Sequence, residues 1–180
     1  MIETSQAVLA FWREAGPKKW FTKDAAFDET LRTRFLETYE AAAAGNLAEW
    51  ETAPESALAL VIVLDQFPRN MFRGDARAFA ADPLARQIAD RALAKGFDRS
   101  VPPGDRAFFY LPFEHSESLA DQERCVELFR LTGDAEALKW AELHADIIRK
   151  FGRFPHRNAI LGRDTTPEEQ KFLDEGGFKG

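Results

Sequence analysis

The longest unbroken apolar run in the chain is Ala57-Leu58-Ala59-Leu60-Val61-Ile62-Val63-Leu64, a pattern that only a segment enclosed by protein on every side can use. Just before it, Thr52-Ala53-Pro54-Glu55 has the Thr-x-x-Glu spacing of a capping box and a proline suited to the first helical turn. Together these signals predict a central helix, although the β-branched Val61-Ile62-Val63 would also suit a buried strand. Polar groups then crowd in at Asp65-Gln66-Phe67-Pro68-Arg69-Asn70, where Pro68, with no amide hydrogen, is expected to stop regular structure.

Other stretches carry the helical period around this pillar. Val8, Leu9, Phe11 and Trp12 share one side of a helix over residues 5–14, which Gly16-Pro17 closes. Lys18-Lys19-Trp20-Phe21 reads as a loop. Leu31, Phe35, Tyr39 and Ala42 stripe a helix over 28–44, and Gly45-Asn46 ends it. Asp82-Pro83 opens another that closes at Lys95-Gly96, and the aromatic segment 105–113 is expected to break at Pro112. Helices over 117–131 and 134–151 flank Thr132-Gly133, and Thr166-Pro167-Glu168-Glu169 starts a last one with a second capping box. No segment alternates as a strand does. The expected class is therefore all-α, an irregular stack of antiparallel helix pairs with no β-sheet. At 180 residues the chain reads as a single helical domain, 1–180, with 174–180 as a mobile tail.

Composition narrows the function classes. A net charge of −6 argues against a nucleic-acid partner. The eight-residue apolar run is far short of a membrane span of ~20 residues, and the first residues lack the apolar region of a signal peptide, so no membrane association is expected and the expected compartment is the cytoplasm. The single cysteine, Cys125, permits no internal disulfide and sits on a helical pattern, as a buried structural thiol would. Charge is uneven, however. Arg149, Lys150, Arg153, Arg157 and Arg163 lie in one stretch that holds no acid; it would either hold an anion or pair with acids from elsewhere in the fold.

One internal echo carries most of the candidate chemistry. Phe67-Pro68-Arg69-Asn70 recurs, with one residue inserted, as Phe154-Pro155-His156-Arg157-Asn158. A guanidinium is a planar fork that suits carboxylate or phosphate better than an ammonium does, so Arg69, Arg153 and Arg157 are candidates for holding a small anion, oriented by Asp65, Asn70 and Asn158. The same groups would serve equally to satisfy helix ends or one another. His115 and His156 stand among polar residues at element ends and are candidate acids or bases beside Glu117 or Asp65. His144, on an apolar helical face, reads as a satisfied core histidine. No HExxH, paired CxxC, GxSxG or glycine-rich phosphate loop is present, so no metal, no other cofactor and no serine nucleophile is expected.

Three blocks, Leu64-Asp65-Gln66-Phe67-Pro68-Arg69-Asn70, Tyr110-Leu111-Pro112-Phe113-Glu114-His115-Ser116-Glu117 and Phe151-Gly152-Arg153-Phe154-Pro155-His156-Arg157-Asn158, followed by Leu161-Gly162-Arg163, Thr166-Pro167-Glu168-Glu169 and Phe172-Leu173, resemble the bacterial domain of unknown function 924 family over nearly the whole chain. The resemblance implies an all-α, tetratricopeptide-like stack of helix pairs with no established activity. A regular ~34-residue repeat cannot be traced, which favours a compact, irregular stack. The leading functional expectation is a polar pocket built from the three motif segments that binds a small phosphate- or carboxylate-bearing ligand. The alternatives are a hydrolase-type enzyme using His/Glu acid–base chemistry at that pocket, and a protein–protein interaction module in which the motifs form a structural polar network.

Overall fold

The computed structural model describes residues 1–179; Gly180, the last residue of the expected tail, lies outside them. Among the described residues the chain is all helical, with no strand. It divides into two compact units, Met1–Pro112 and a second that begins at Phe113.

In the first unit, α1 (Ser5–Ala15) starts at Thr4, whose hydroxyl accepts from the Ala7 amide, and it buries Val8, Leu9 and Trp12. Where a loop was expected, α2 (Pro17–Trp20) forms a single helical turn. Pro17 sets its first dihedral, and Trp20 stacks on Trp12 with ring centroids 5.8 Å apart while donating its indole N–H to the Trp12 carbonyl. Asp24 accepts from the Ala26 and Phe27 amides, so α3 (Ala25–Ala43) begins three residues before its apolar stripe suggests. A 3-10 turn over Ala48–Thr52 then leads into α4 (Pro54–Met71).

Helix α4 is the pillar. Every residue from Ala57 to Pro68 is buried, with α1, α3 and α5 (Asp82–Ala94) packed around it. Two local expectations yield to this burial. The Thr52/Glu55 capping box does not form: Thr52 belongs to the preceding turn and donates its hydroxyl to the Glu49 carbonyl at 2.7 Å, leaving Ala53 as an N-cap with no side-chain bond. Nor does Pro68 end the helix. It forfeits one backbone bond, yet α4 runs on to Met71, and α6 (Ala107–Glu114) likewise passes through Pro112. Phe67 shows what sustains the last turns. It is fully buried, 5.6 Å from the Trp12 ring and 5.0 Å from Phe35.

In the second unit, α7 (Leu119–Thr132) and α8 (Ala135–Phe151) form a hairpin at Gly133, whose φ of 76° is a conformation that side chains with a Cβ disfavour. Asp134 caps α8, which turns Ala141, His144, Ala145, Ile147 and Ile148 inward. The predicted box of Thr166 and Glu169 opens α9 (Pro167–Asp174). Ile147, Ile148 and Phe154 make a small core against which Phe151, Phe172 and Phe178 pack. No described helix of the protein is long and apolar enough to cross a membrane.

Phe67→Ala is expected to lower the free energy of unfolding by about 3–5 kcal/mol in a urea titration. Phe21→Ala removes a ring that is 69% exposed, and should change it by less than about 0.5 kcal/mol.

Candidate functional site

The first copy of the echo occupies the last turns of α4. Arg69 Nη1 and Nη2 donate to the two carboxylate oxygens of Asp82 at 2.8 and 2.9 Å, Nη1 also donates to the Asp65 carbonyl at 2.6 Å, and Asp65 Oδ1 lies 3.5 Å away. Burial works against the guanidinium's charge, but Asp65 and Asp82 outweigh it and raise its pKa. Asn70 donates to Asp28 Oδ1 at 2.9 Å, and Arg73 grips the same carboxylate through Nε and Nη2. Asp28 and Asp82 stand in the first turns of α3 and α5, where the helix dipole favours an acid, and the cations stand at the end of α4, where it favours a base. Asp65, Arg69 and Asn70 are thus members of an ion-paired clasp that joins three helices.

The second copy belongs to the second unit, where it becomes a 3-10 turn over Pro155–Arg157. Glu117 accepts from the Phe154 amide at 2.8 Å and from Arg163 Nη1 and Nη2 at 2.7 and 2.9 Å. Arg163 Nε donates to Asn158 Oδ1 at 3.0 Å, and Asn158 Nδ2 donates to Glu169 at 3.2 Å. Glu169 in turn receives both arms of Arg153, at 2.6 and 2.8 Å, and the Thr166 amide. The hydrogen bonds from Arg153 hold the Glu169 carboxyl down to about 2 against an opposing effect of burial. For Glu117 burial pushes upward, but Arg163 and the Phe154 amide outweigh it and leave the pKa below the ordinary value. Both are ionised carboxylates near neutrality. Arg149 and Lys150 pair with Asp146 and Glu168, so these bases, like Arg153 and Arg163, face acids of their own unit.

Arg157 also lies against an aromatic ring. Its guanidinium carbon lies 4.6 Å from the centroid of the Phe154 ring. The imidazoles of His144 and His156 are 5.7 and 5.6 Å from that same ring, and Phe178 meets both edge-on, at 4.5 and 5.2 Å. His144 Nδ1 sits 2.8 Å from the Trp140 carbonyl and 3.6 Å from Glu114 Oε1. His156 Nδ1 is buried and meets no hydrogen-bond partner among the described residues. Desolvation pushes both imidazoles down to about 4. The Trp140 carbonyl opposes that shift at His144, while electrostatic interaction with His115 and Arg157 adds to it; Arg157, His144 and Arg163 add to it at His156 and Glu117 opposes it. Both rings are therefore neutral near pH 7. Nearby, burial and the Glu114 carboxylate push the Cys125 thiol up, which keeps it un-ionised. No group of described side chains forms a metal-binding cluster.

Of the residues nominated from sequence, Asp65, Arg69 and Asn70 fall in the first unit, and His115, Glu117, Arg153, His156, Arg157 and Asn158 fall in the second. Asp28 and Asp82 were not legible as site residues, position in a helical first turn being their one available signal, and Phe178 carried no signal at all. Glu169 was visible only as a cap. Two surface hollows in the first unit, of about 310 and 460 Å³, are lined by residues including Arg13 and Glu55, and Lys19 and Arg34, with no motif residue in either.

An all-helical frame closed by arginine–carboxylate clasps is the class that these observations define. The family model for bacterial proteins of unknown function (DUF924) matches residues 8–177, and the chain belongs to that family. It is similar to a solved structure, that of the protein of unknown function ATU0120 from Agrobacterium tumefaciens, with 50% identity over 96% of this chain and 97% of that one and a TM-score of 0.93. A comparison with curated proteins found no match.

Because the Glu117 and Arg163 side chains are 28% and 24% exposed, their pair is worth less than a fully buried one. Glu117→Gln and Arg163→Gln should each lower the unfolding free energy by about 1–3 kcal/mol, and the double variant should lose about 1 kcal/mol less than their sum. The pH dependence has two windows. His144 and His156 take up protons more readily unfolded, at an ordinary value of 6.5, than folded, at about 4. Their contribution is complete above pH 6.5 and is lost as pH falls toward 4. Glu169 contributes above its ordinary 4.5 and loses that contribution as pH falls toward 2. In melts across pH, a His144→Gln/His156→Gln variant should flatten the upper decline and leave the lower one.

Proposed function

We propose that the protein binds a small carboxylate- or phosphate-bearing ligand in the second unit, at the cluster of Arg157, His144 and His156. In this reading Asp65, Arg69, Asn70, Glu117, Arg153 and Asn158 are the clasps that hold the frame, and the binding chemistry belongs to the group whose members are arginine and neutral imidazoles. His156 carries the proposal: a buried ring nitrogen without a hydrogen-bond partner, in the field of the Arg157 charge, is a costly arrangement that an incoming anion relieves. The anion accepts from His156, and Arg157 supplies opposite charge at close range. The hydrolase reading draws less support, because Glu117 is pinned as a carboxylate by Arg163 and the Phe154 amide. A cytoplasmic setting accords with the lone, buried Cys125.

The test is an NMR titration of the imidazoles with inorganic phosphate and with acetate. Anion binding should raise the His156 pKa by about one unit, and Arg157→Gln should weaken the affinity about tenfold. Identical responses in the wild type and Arg157→Gln, or no response in either, contradict the proposal.

A further inference from the structure

The geometry points to a ring subsite beside the anion position: we propose that the site takes a small aromatic carboxylate, and that Phe178 occupies the place of the ligand's ring, so that the segment 175–178 competes with the ligand. This rests on the anion reading above. Phe178 lies edge-on to His144 at 4.5 Å and to His156 at 5.2 Å, with Trp140 at 6.5 Å. Three aromatic systems from α8 and the 155–157 turn thus surround one phenyl ring, an arrangement that rewards any aromatic occupant by dispersion and by edge-to-face attraction. His156 also touches Phe154, over which the Arg157 guanidinium sits. A ligand whose ring is joined to its carboxylate by one or two carbons therefore places the ring where Phe178 lies and the carboxylate against His156 and Arg157.

The segment that delivers Phe178 is built for this position and for little else. Gly176 has φ +87°, and the Gly177 amide donates to the Phe172 carbonyl at 2.9 Å. A Cβ on Gly177 would lie 2.5 Å from that carbonyl oxygen and 2.6 Å from the Phe172 ring. Both glycines are needed for the chain to fold back over α9 and seat the ring. The hold is otherwise narrow, one side chain on the margin of the small core of Ile147, Ile148 and Phe154. A self-held occupant of this kind lowers the apparent affinity for an external ligand by the fraction of molecules in which it is released.

Calorimetric titration of the full chain with phenylacetate and with acetate tests the inference, comparing the wild type, Phe178→Ala and Gly177→Ala. The second variant unseats the ring without altering any group that would touch the ligand. Both variants should bind phenylacetate about tenfold tighter than the wild type does, with a smaller gain for acetate, and adding Arg157→Gln should remove the gain. A gain no larger for phenylacetate than for acetate overturns the ring subsite while the anion reading stands. Binding of neither acid to any form overturns both.

Discussion

A charge withdrawn from water must find its opposite, and that constraint organises both units of this protein. Asp28 and Asp82 meet the guanidinium forks of Arg73 and Arg69, and Glu117 and Glu169 meet those of Arg163 and Arg153. Paired in this way the ions recover much of their lost hydration; with one partner missing, the other is left as an uncompensated charge. The two clasps perform the same task on different frameworks. In the first unit, the clasp fastens three helices around a pillar that is already enclosed by apolar side chains. The second fastens a stretch between α8 and α9 with almost no regular structure of its own, so its hydrogen bonds define the path of the chain.

What could be read from the sequence divides along the same line. Apolar periodicity located α1, α3, α4 and α8 because each buries one face or all of its surface, and that signal is carried by neighbours three and four residues apart, while the Thr166/Glu169 capping box located α9. Local rules misled where tertiary burial outweighed them. Thr52 and Glu55 have the spacing of a cap but lie one residue out of place, and Pro68 and Pro112 cost their helices a bond that the packing around Phe67 and Phe109 absorbs. The echo of Phe-Pro-Arg-Asn was visible, yet its two copies differ in structure, the end of an α-helix in one case and a 3-10 turn in the other. The acids that meet Arg69 and Arg73 lie 13 and 45 residues away, a separation at which no periodic pattern operates.

The cluster in the second unit obeys a different rule. His144 was expected as a core histidine, and it is one, buried and bonded to the Trp140 carbonyl. It is also a wall of the only described group in which an arginine, two neutral imidazoles and two phenyl rings come together. Burial keeps the imidazoles neutral. Ionised carboxylates close the clasps, whereas here aromatic rings pack against the imidazoles and the guanidinium. That difference in surroundings separates the ion-paired groups that hold the fold from the His156 ring nitrogen that has no hydrogen-bond partner among the described residues, on which the proposed binding rests.

The most direct test of this division is a crystal structure of the protein grown in inorganic phosphate. Phosphate is expected bound by His156 and Arg157, with Arg69, Arg153 and Arg163 still forked to Asp82, Glu169 and Glu117. Phosphate displacing a carboxylate from Arg69 or Arg153, with the His156 cluster unchanged, would contradict it.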